Sequence, residues 1–223
     1  MKNLVIVGDS FAASPDGWPQ MLADKLGLNL ICKASGGWAW WHIRQRLKIL
    51  GEQVLSDAEF VIVLHTNFDR INTTEVVNAG TADYVDPKSE FDTAVQLFYK
   101  YLYNEEFNRW AQKHWFEELN DITKNCKLVN LFSFDGPMED SSMLHGLNVY
   151  PDLCQLSLKE TKPTSWLKTG KKVNEGLLND MRMNHLSCEN NQILADQLYE
   201  ILQQQYSHGS ANLNVERFLN DQI

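Results

Sequence analysis

Short apolar runs alternate along the chain with longer amphipathic stretches, and this rhythm carries the first structural information. Leu4-Val5-Ile6-Val7 and Phe60–Leu64 are brief and apolar throughout, the pattern of buried strands in a parallel sheet, and Leu28–Cys32 and Lys127–Phe132 read as further strands. Trp18–Leu26 has Pro19 in its first turn and Gly27 just beyond its last, which marks a helix with a glycine stop. Trp38–Leu50 carries apolar residues near helical spacing. The resulting β-α-β-α-β order predicts right-handed crossovers and one parallel sheet. Arg70–Lys88 is polar and aperiodic, hence a loop, whereas Phe91–Asn120 has a helical pattern of aromatic and charged residues, one long helix or two. Ser133–Glu175 is punctuated by Gly136-Pro137, Pro151, Pro163 and Gly170 and reads as a long irregular region. Its apolar residues, among them Phe134, Leu147, Tyr150 and Trp166, favour an ordered cap over a disordered loop. Ile193–Leu202 is the last amphipathic helix, followed by Ser207–Ile223 as a flexible tail or a segment packed on a neighbour.

A chain of 223 residues suits one domain, read as residues 1–206 with an insertion at about 70–175 and a tail at 207–223. The formal net charge of −9 argues against general attraction to nucleic acid or an anionic membrane surface. No run approaches the roughly 18 apolar residues of a membrane span, and Gly8-Asp9 interrupts the apolar run near the N-terminus, so the expectation is a soluble cytoplasmic protein. Cys32, Cys126, Cys154 and Cys188 are widely spaced without a C-x-x-C pair and read as reduced thiols. His42, His114, His145 and His208 fit no metal-ligand spacing and read as surface or hydrogen-bonded residues; no metal is expected, and no organic cofactor is called for.

The candidate chemistry lies where the first strand ends, at Gly8-Asp9-Ser10-Phe11. In parallel α/β sheets the crevice outside strand C-termini is where ligands bind, which places Ser10 at a site mouth. A serine hydroxyl is a poor nucleophile without an adjacent base, and Met183-Asn184-His185-Leu186-Ser187, just ahead of the last helix, supplies a histidine. Together with Gly37 after the second strand and Asn67 after the third, these segments resemble the four blocks of the SGNH (GDSL-type) hydrolases, in the same order and at strand ends. The resemblance covers roughly residues 1–70 and 176–205. It implies a three-layer α/β/α, flavodoxin-like fold with a central parallel sheet and a helical or irregular insertion. It also implies Ser10 as nucleophile, His185 as general base, and an oxyanion hole made by the N–H groups of Ser10 and Gly37 and the amide of Asn67. Such preorganised donors stabilise the negative charge that acyl transfer builds on a carbonyl oxygen.

The chain departs from the family pattern in informative places. His65 stands where a glycine usually precedes the third-block Asn, and reads as a pocket-lining residue. Ser35-Gly36-Gly37 offers two glycines for the second block, with Gly37 preferred. Arg182 replaces the Asp expected three residues before the histidine; Asp180 lies two residues further back, so either Asp180 or a backbone carbonyl orients His185. Arg182 either shapes this loop by pairing with Asp180 or binds an anionic part of the substrate. Asp9 and Trp38 complete the expected substrate contacts. Trp38, Trp40 and Trp41 make either an aromatic platform beside the site or a buried helix face, and at least one of the adjacent Trp40 and Trp41 packs inward. Trp110, Trp115 and Phe116 read as inter-helix core.

Two functional readings follow. One is a serine esterase acting on small-molecule or glycan esters, O-acetyl groups on carbohydrate first among them. The other is a catalytically weak or inactive ligand-binding or structural protein on the same fold. A nucleotide-binding reading is disfavoured, because the first turn has neither G-x-G-x-x-G nor G-x-x-x-x-G-K-[ST].

Overall fold

The first apolar run forms strand β1 (Asn3–Gly8), whose alternate side chains enter two different cores. In the computed structural model, which describes residues 2–72, 89–158, 185–205 and 208–219, β1 is followed by α1 (Trp18–Leu26), β2 (Asn29–Ala34), α2 (Trp40–Ser56), β3 (Ala58–His65), α3 (Glu90–Tyr101) and α4 (Glu105–Ile122). Then come β4 (Leu128–Phe132), β5 (Leu147–Tyr150), α5 (Leu153–Leu158), α6 (Cys188–Gln205) and β6 (Gly209–Asn212). The six strands form one sheet in the order β2-β1-β3-β4-β5-β6, and every pairing is parallel. The order reverses between β1 and β3, which opens a crevice beyond their C-terminal ends.

Side chains of successive strand residues point to opposite faces, and both faces are apolar. Leu4 and Ile6 of β1, Ile62 and Leu64 of β3 and Val129 and Leu131 of β4 pack with α1 and α6 through Trp18, Leu22, Leu194 and Leu198. Val5, Val7, Val61 and Val63 face the other way, onto Ile43 and Leu47 of α2 and Trp115, Phe116 and Leu119 of α4. These are the three layers of an α/β/α sandwich, with helices on both sides as right-handed crossovers require. Arg44 and Lys48 of α2 both pair with Glu118 of α4 and tie the two helices together.

Several expected boundaries shift. The segment Phe91–Asn120 resolves into two helices, each capped by a side chain: Ser89 accepts from Asp92 N–H and Asn104 from Phe107 N–H. The region read as an irregular cap supplies a sheet strand, β5, and the helix α5; 159–184 lies outside the described residues, as does 73–88. The C-terminal stretch contributes more than a tail. Gly209–Asn212 adds the edge strand, and Leu213 and Phe218 are buried in the α1/α6 core.

His65, expected to line a substrate pocket, is corrected by its place in the sheet. It shares the parity of Val61 and Val63 and therefore enters the α2/α4 face, between the rings of Phe116 and Phe132. There its Nε2–H donates to Asn130 Oδ1 at 3.0 Å, and Asn130 Nδ2 donates in turn to Asn148 Oδ1 and to the His145 carbonyl, each at 2.9 Å. Asn148 Nδ2 closes the chain on the Ser141 carbonyl. The result is a neutral polar layer through β3, β4 and β5 in which each buried amide has partners. Burial pushes the His65 imidazole down from 6.5 to about 4, against the opposing effect of its hydrogen bond to Asn130.

Two outcomes test this architecture. Gly146, at the turn into β5, has φ +87°, and a Cβ there would lie 2.3 Å from the Leu128 carbonyl oxygen. Gly146→Ala is expected to destabilise the fold by about 2–4 kcal/mol, the sum of left-handed strain and overpacking, read as a lower urea midpoint. The second concerns pH. Because the His65 pKa is lower in the folded than in the unfolded state, its contribution to stability is full above about pH 6.5 and is lost as pH falls toward 4, by about 1.4 kcal/mol per pH unit. Asp69 and Asp152, each pushed up to about 6 by burial, act in the opposite sense, so the test is a difference. Between pH 7 and 4.5, His65→Gln should lose less stability than the wild type in paired urea melts; parallel curves would contradict the assignment.

Candidate active site

Ser10 begins a single 3-10 turn directly after β1, and Asp9 caps that turn by accepting the Phe11 N–H at 3.2 Å. The turn is anchored further along, where Trp18 Nε1–H donates to the Phe11 carbonyl at 2.8 Å. His185 stands three residues ahead of α6, and that approach is held by Asn191, whose amide donates to the Leu186 and Ser187 carbonyls. The same Asn191 accepts the Trp18 N–H at 2.9 Å, so α1 ties the serine turn and the histidine segment to each other. Across 175 residues of sequence, His185 Nε2 lies 2.7 Å from Ser10 Oγ, a hydrogen-bond distance. The imidazole is stacked on Phe11, with ring centroids 4.1 Å apart and planes 11° apart, which restricts its rotation. Ser10 is 5 % exposed and His185 9 %, so both side chains are almost wholly buried.

Asp9 has no exposed surface, and its carboxylate is fully engaged. Ser133, just after β4, donates Oγ–H to Asp9 Oδ1 at 2.8 Å, and Arg70 Nη1 lies 3.3 Å from Oδ2. A buried carboxylate survives when paired and hydrogen-bonded in this way. The expectation that Asp9 contacts substrate is therefore corrected: it is an internal anchor beside Ser10. Sequence reasoning missed Arg70, Ser133 and Asn191. Arg70 lies three residues beyond Asn67, at the edge of the stretch read as a loop, and only proximity to a strand end could have drawn attention to it.

The second-block turn runs Ser35-Gly36-Gly37-Trp38, with the Trp38 N–H donating to the Ser35 carbonyl at 3.4 Å. Gly37 has φ +77°, the left-handed value that this turn position needs and that favours glycine. A Cβ on Gly36 would lie 3.9 Å from Ser10 Cβ, so the turn passes close to the serine. Asn67 follows β3 at the same end of the sheet, and Gly136 makes room for it: a Cβ there would lie 3.3 Å from Asn67 Oδ1. Trp38 is buried, its ring stacked on His42 and covered by Arg46, so as a platform open to substrate it is corrected to a packed residue of the turn. Trp40 is partly buried against the α2/α4 core, whereas Trp41 is exposed under Arg44. Trp115 and Phe116 are core, but Trp110 is 54 % exposed and stacks with Phe107 on the outer face of α4. Asp180 and Arg182 lie outside the described residues.

The thiols carry no disulfide, with Cys154 buried and Cys32 pushed up to about 11 by burial. Among the described residues no group of three or more His, Cys, Asp or Glu side chains could hold a metal ion, and no helix is long and apolar enough to cross a membrane. His145 Nε2 meets Thr123 Oγ1 at 2.9 Å, and His208 Nδ1 accepts the Gly146 N–H at 3.1 Å; both are occupied in joining β5 and β6 to α4 and to each other.

No protein-family model matches the sequence, and no curated protein matches it. Solved structures do. A protein assigned to the G-D-S-L lipolytic family from Desulfitobacterium hafniense DCB-2 superposes with a TM-score of 0.51 at 13 % identity, over 90 % of this chain and 99 % of the other. A GDSL-like lipase by description, from Parabacteroides merdae ATCC 43184, superposes with a TM-score of 0.53 at 11 % identity, over 92 % of this chain and 96 % of the other. With its parallel six-stranded sheet between two helical layers, the chain has the α/β/α fold of the SGNH (GDSL-type) hydrolases.

Proposed function

We propose that the protein is a serine esterase in which Ser10 Oγ attacks an ester carbonyl while His185 Nε2 takes its proton. The tetrahedral intermediate then collapses as His185 returns that proton to the leaving alcohol, and a water activated by the same imidazole releases the acid from the acyl-enzyme. The observation that carries the reading is the 2.7 Å approach of His185 Nε2 to Ser10 Oγ at the crevice where the strand order reverses. The N–H groups of Ser10 and Gly37 and the amide of Asn67 are the proposed oxyanion donors, supported by the passage of the glycine turn beside Ser10. The chemistry calls for no metal or organic cofactor. Small acyl esters, O-acetyl groups on carbohydrate first among them, are the proposed substrate class.

The second reading, a ligand-binding protein with little turnover, is favoured by one observation: Arg182 occupies the position where the family places the acid that orients the histidine. Hydrolysis of p-nitrophenyl acetate and butyrate separates the two. The wild type should turn over acetate faster than butyrate, with a rate that climbs as an imidazole loses its proton. Ser10→Ala should fall by at least about 10³-fold and lose covalent labelling by a fluorophosphonate. Asp180→Ala lowers the rate by about 10²-fold or more where Asp180 orients the imidazole, and leaves it unchanged where a carbonyl does. Equal background rates in wild type and Ser10→Ala, without labelling, would favour the binding protein.

A further inference from the structure

Resting on the esterase reading, we infer that Arg70 is a positioning residue that holds the three proposed oxyanion donors in one arrangement. Those donors come from loops after three different strands: Ser10 after β1, Gly37 after β2 and Asn67 after β3. Arg70 touches each loop next to the donor. Its Nη1 lies 3.3 Å from Oδ2 of Asp9, the residue before Ser10, and donates at 2.8 Å to the carbonyl of Trp38, the residue after Gly37. Its own N–H approaches the Asn67 carbonyl at 3.5 Å, closing the turn that carries the third donor.

The guanidinium is itself held. It is 7 % exposed, lies 5.2 Å from the Phe134 ring centroid, and faces a carboxylate with no exposed surface. A planar, permanently charged group in this setting bridges a carboxylate and a carbonyl with fixed geometry, which a flexible ammonium does not reproduce. Oxyanion stabilisation depends on donors being in place before charge develops, and displacement of about 1 Å costs about 10²-fold in rate. The guanidinium bonds to Asp9 and to the Trp38 carbonyl, the neighbours of two donors, so its effect is expected on the donors rather than on the base.

Two variants test this. Arg70→Lys keeps a cation against Asp9. The double variant Asp9→Asn with Arg70→Met removes both charges, so no lone charge is buried. Both should fold, by circular dichroism and urea midpoint, with Arg70→Lys losing about tenfold and the double variant about 100-fold in kcat on p-nitrophenyl acetate. KM should move less than about threefold, the pH–rate profile should keep its position, and fluorophosphonate labelling of Ser10 should slow in parallel. Turnover within about threefold of wild type in either folded variant overturns the inference, as does a displaced pH profile, which would place the effect on His185. Absence of Ser10-dependent turnover in the wild type overturns the esterase reading and this inference together, whereas turnover that survives the substitutions overturns the inference alone.

Discussion

Burial of the Asp9 carboxylate is the constraint on which the site end of the molecule depends. A carboxylate with no exposed surface is tolerated only with a cation and a full set of donors, and the chain supplies them from separate places: Phe11 N–H from its own turn, Ser133 Oγ from the loop after β4, and Arg70 from the loop after β3. Satisfying one carboxylate therefore draws together loops that follow β1, β3 and β4, and Arg70 extends the set to β2 through the Trp38 carbonyl. A buried ion pair of this kind is weak evidence for stability, because desolvation offsets much of the attraction. Its value is geometric. With Asp9 fixed, the backbone of Ser10 has little freedom left.

The histidine side is built by different means. His185 is held by an aromatic stack and by Asn191, which binds the carbonyls after His185 and the first N–H of α1. These are neutral contacts on the α1/α6 face, where Trp18, Leu22, Leu194 and Leu198 form one packed interface. The two members of the proposed Ser10–His185 pair are thus positioned by different means, one by electrostatics within the sheet loops and one by helix packing. They meet because Trp18 is bonded to both, through Phe11 and through Asn191.

What the sequence disclosed follows from how strongly each element signals. β1 and β3 are continuous apolar runs because both faces of a central strand are buried, β4 is such a run broken only by Asn130, and β2, partly exposed at the sheet edge, keeps Leu30-Ile31-Cys32; all four were legible together with the stop at Gly27, whose φ is +64°. Ser10 stood out because it follows such a run and His185 because it precedes an amphipathic helix, and the structure brings the two side chains within 2.7 Å. β5 was hidden: Asn148 interrupts a run of only four residues, and the amide is satisfied by Asn130, a partner 18 residues away that no local pattern reveals. β6, Gly-Ser-Ala-Asn at the sheet edge, has no hydrophobic signature because its place depends on pairing with β5 alone. His65 was misread although the signal existed, since Val61, Val63 and His65 share one face and the helices on that face cover all three. Arg70 carried only the weak signal of lying near a strand end, because its contacts are with an acceptor before Ser10 and another after Gly37.

The neutral layer of His65, Asn130 and Asn148 also bears on the site, although it lies beneath the α4 face. Buried amides paired across three strands fix their register, because a slip of one residue would bury unpaired polar groups on one face and turn apolar side chains to the wrong core. One residue of slip is about 3.3 Å along a parallel strand. Asn67 leaves β3 two residues beyond His65, and Ser133 leaves β4 three residues beyond Asn130. The same slip would carry a proposed oxyanion donor and a partner of Asp9 out of hydrogen-bond reach. An imidazole kept uncharged in the core therefore sets where the loops emerge, and the charged pair above it sets how they meet. Register and charge act in series, and Ser10 stands where both are satisfied.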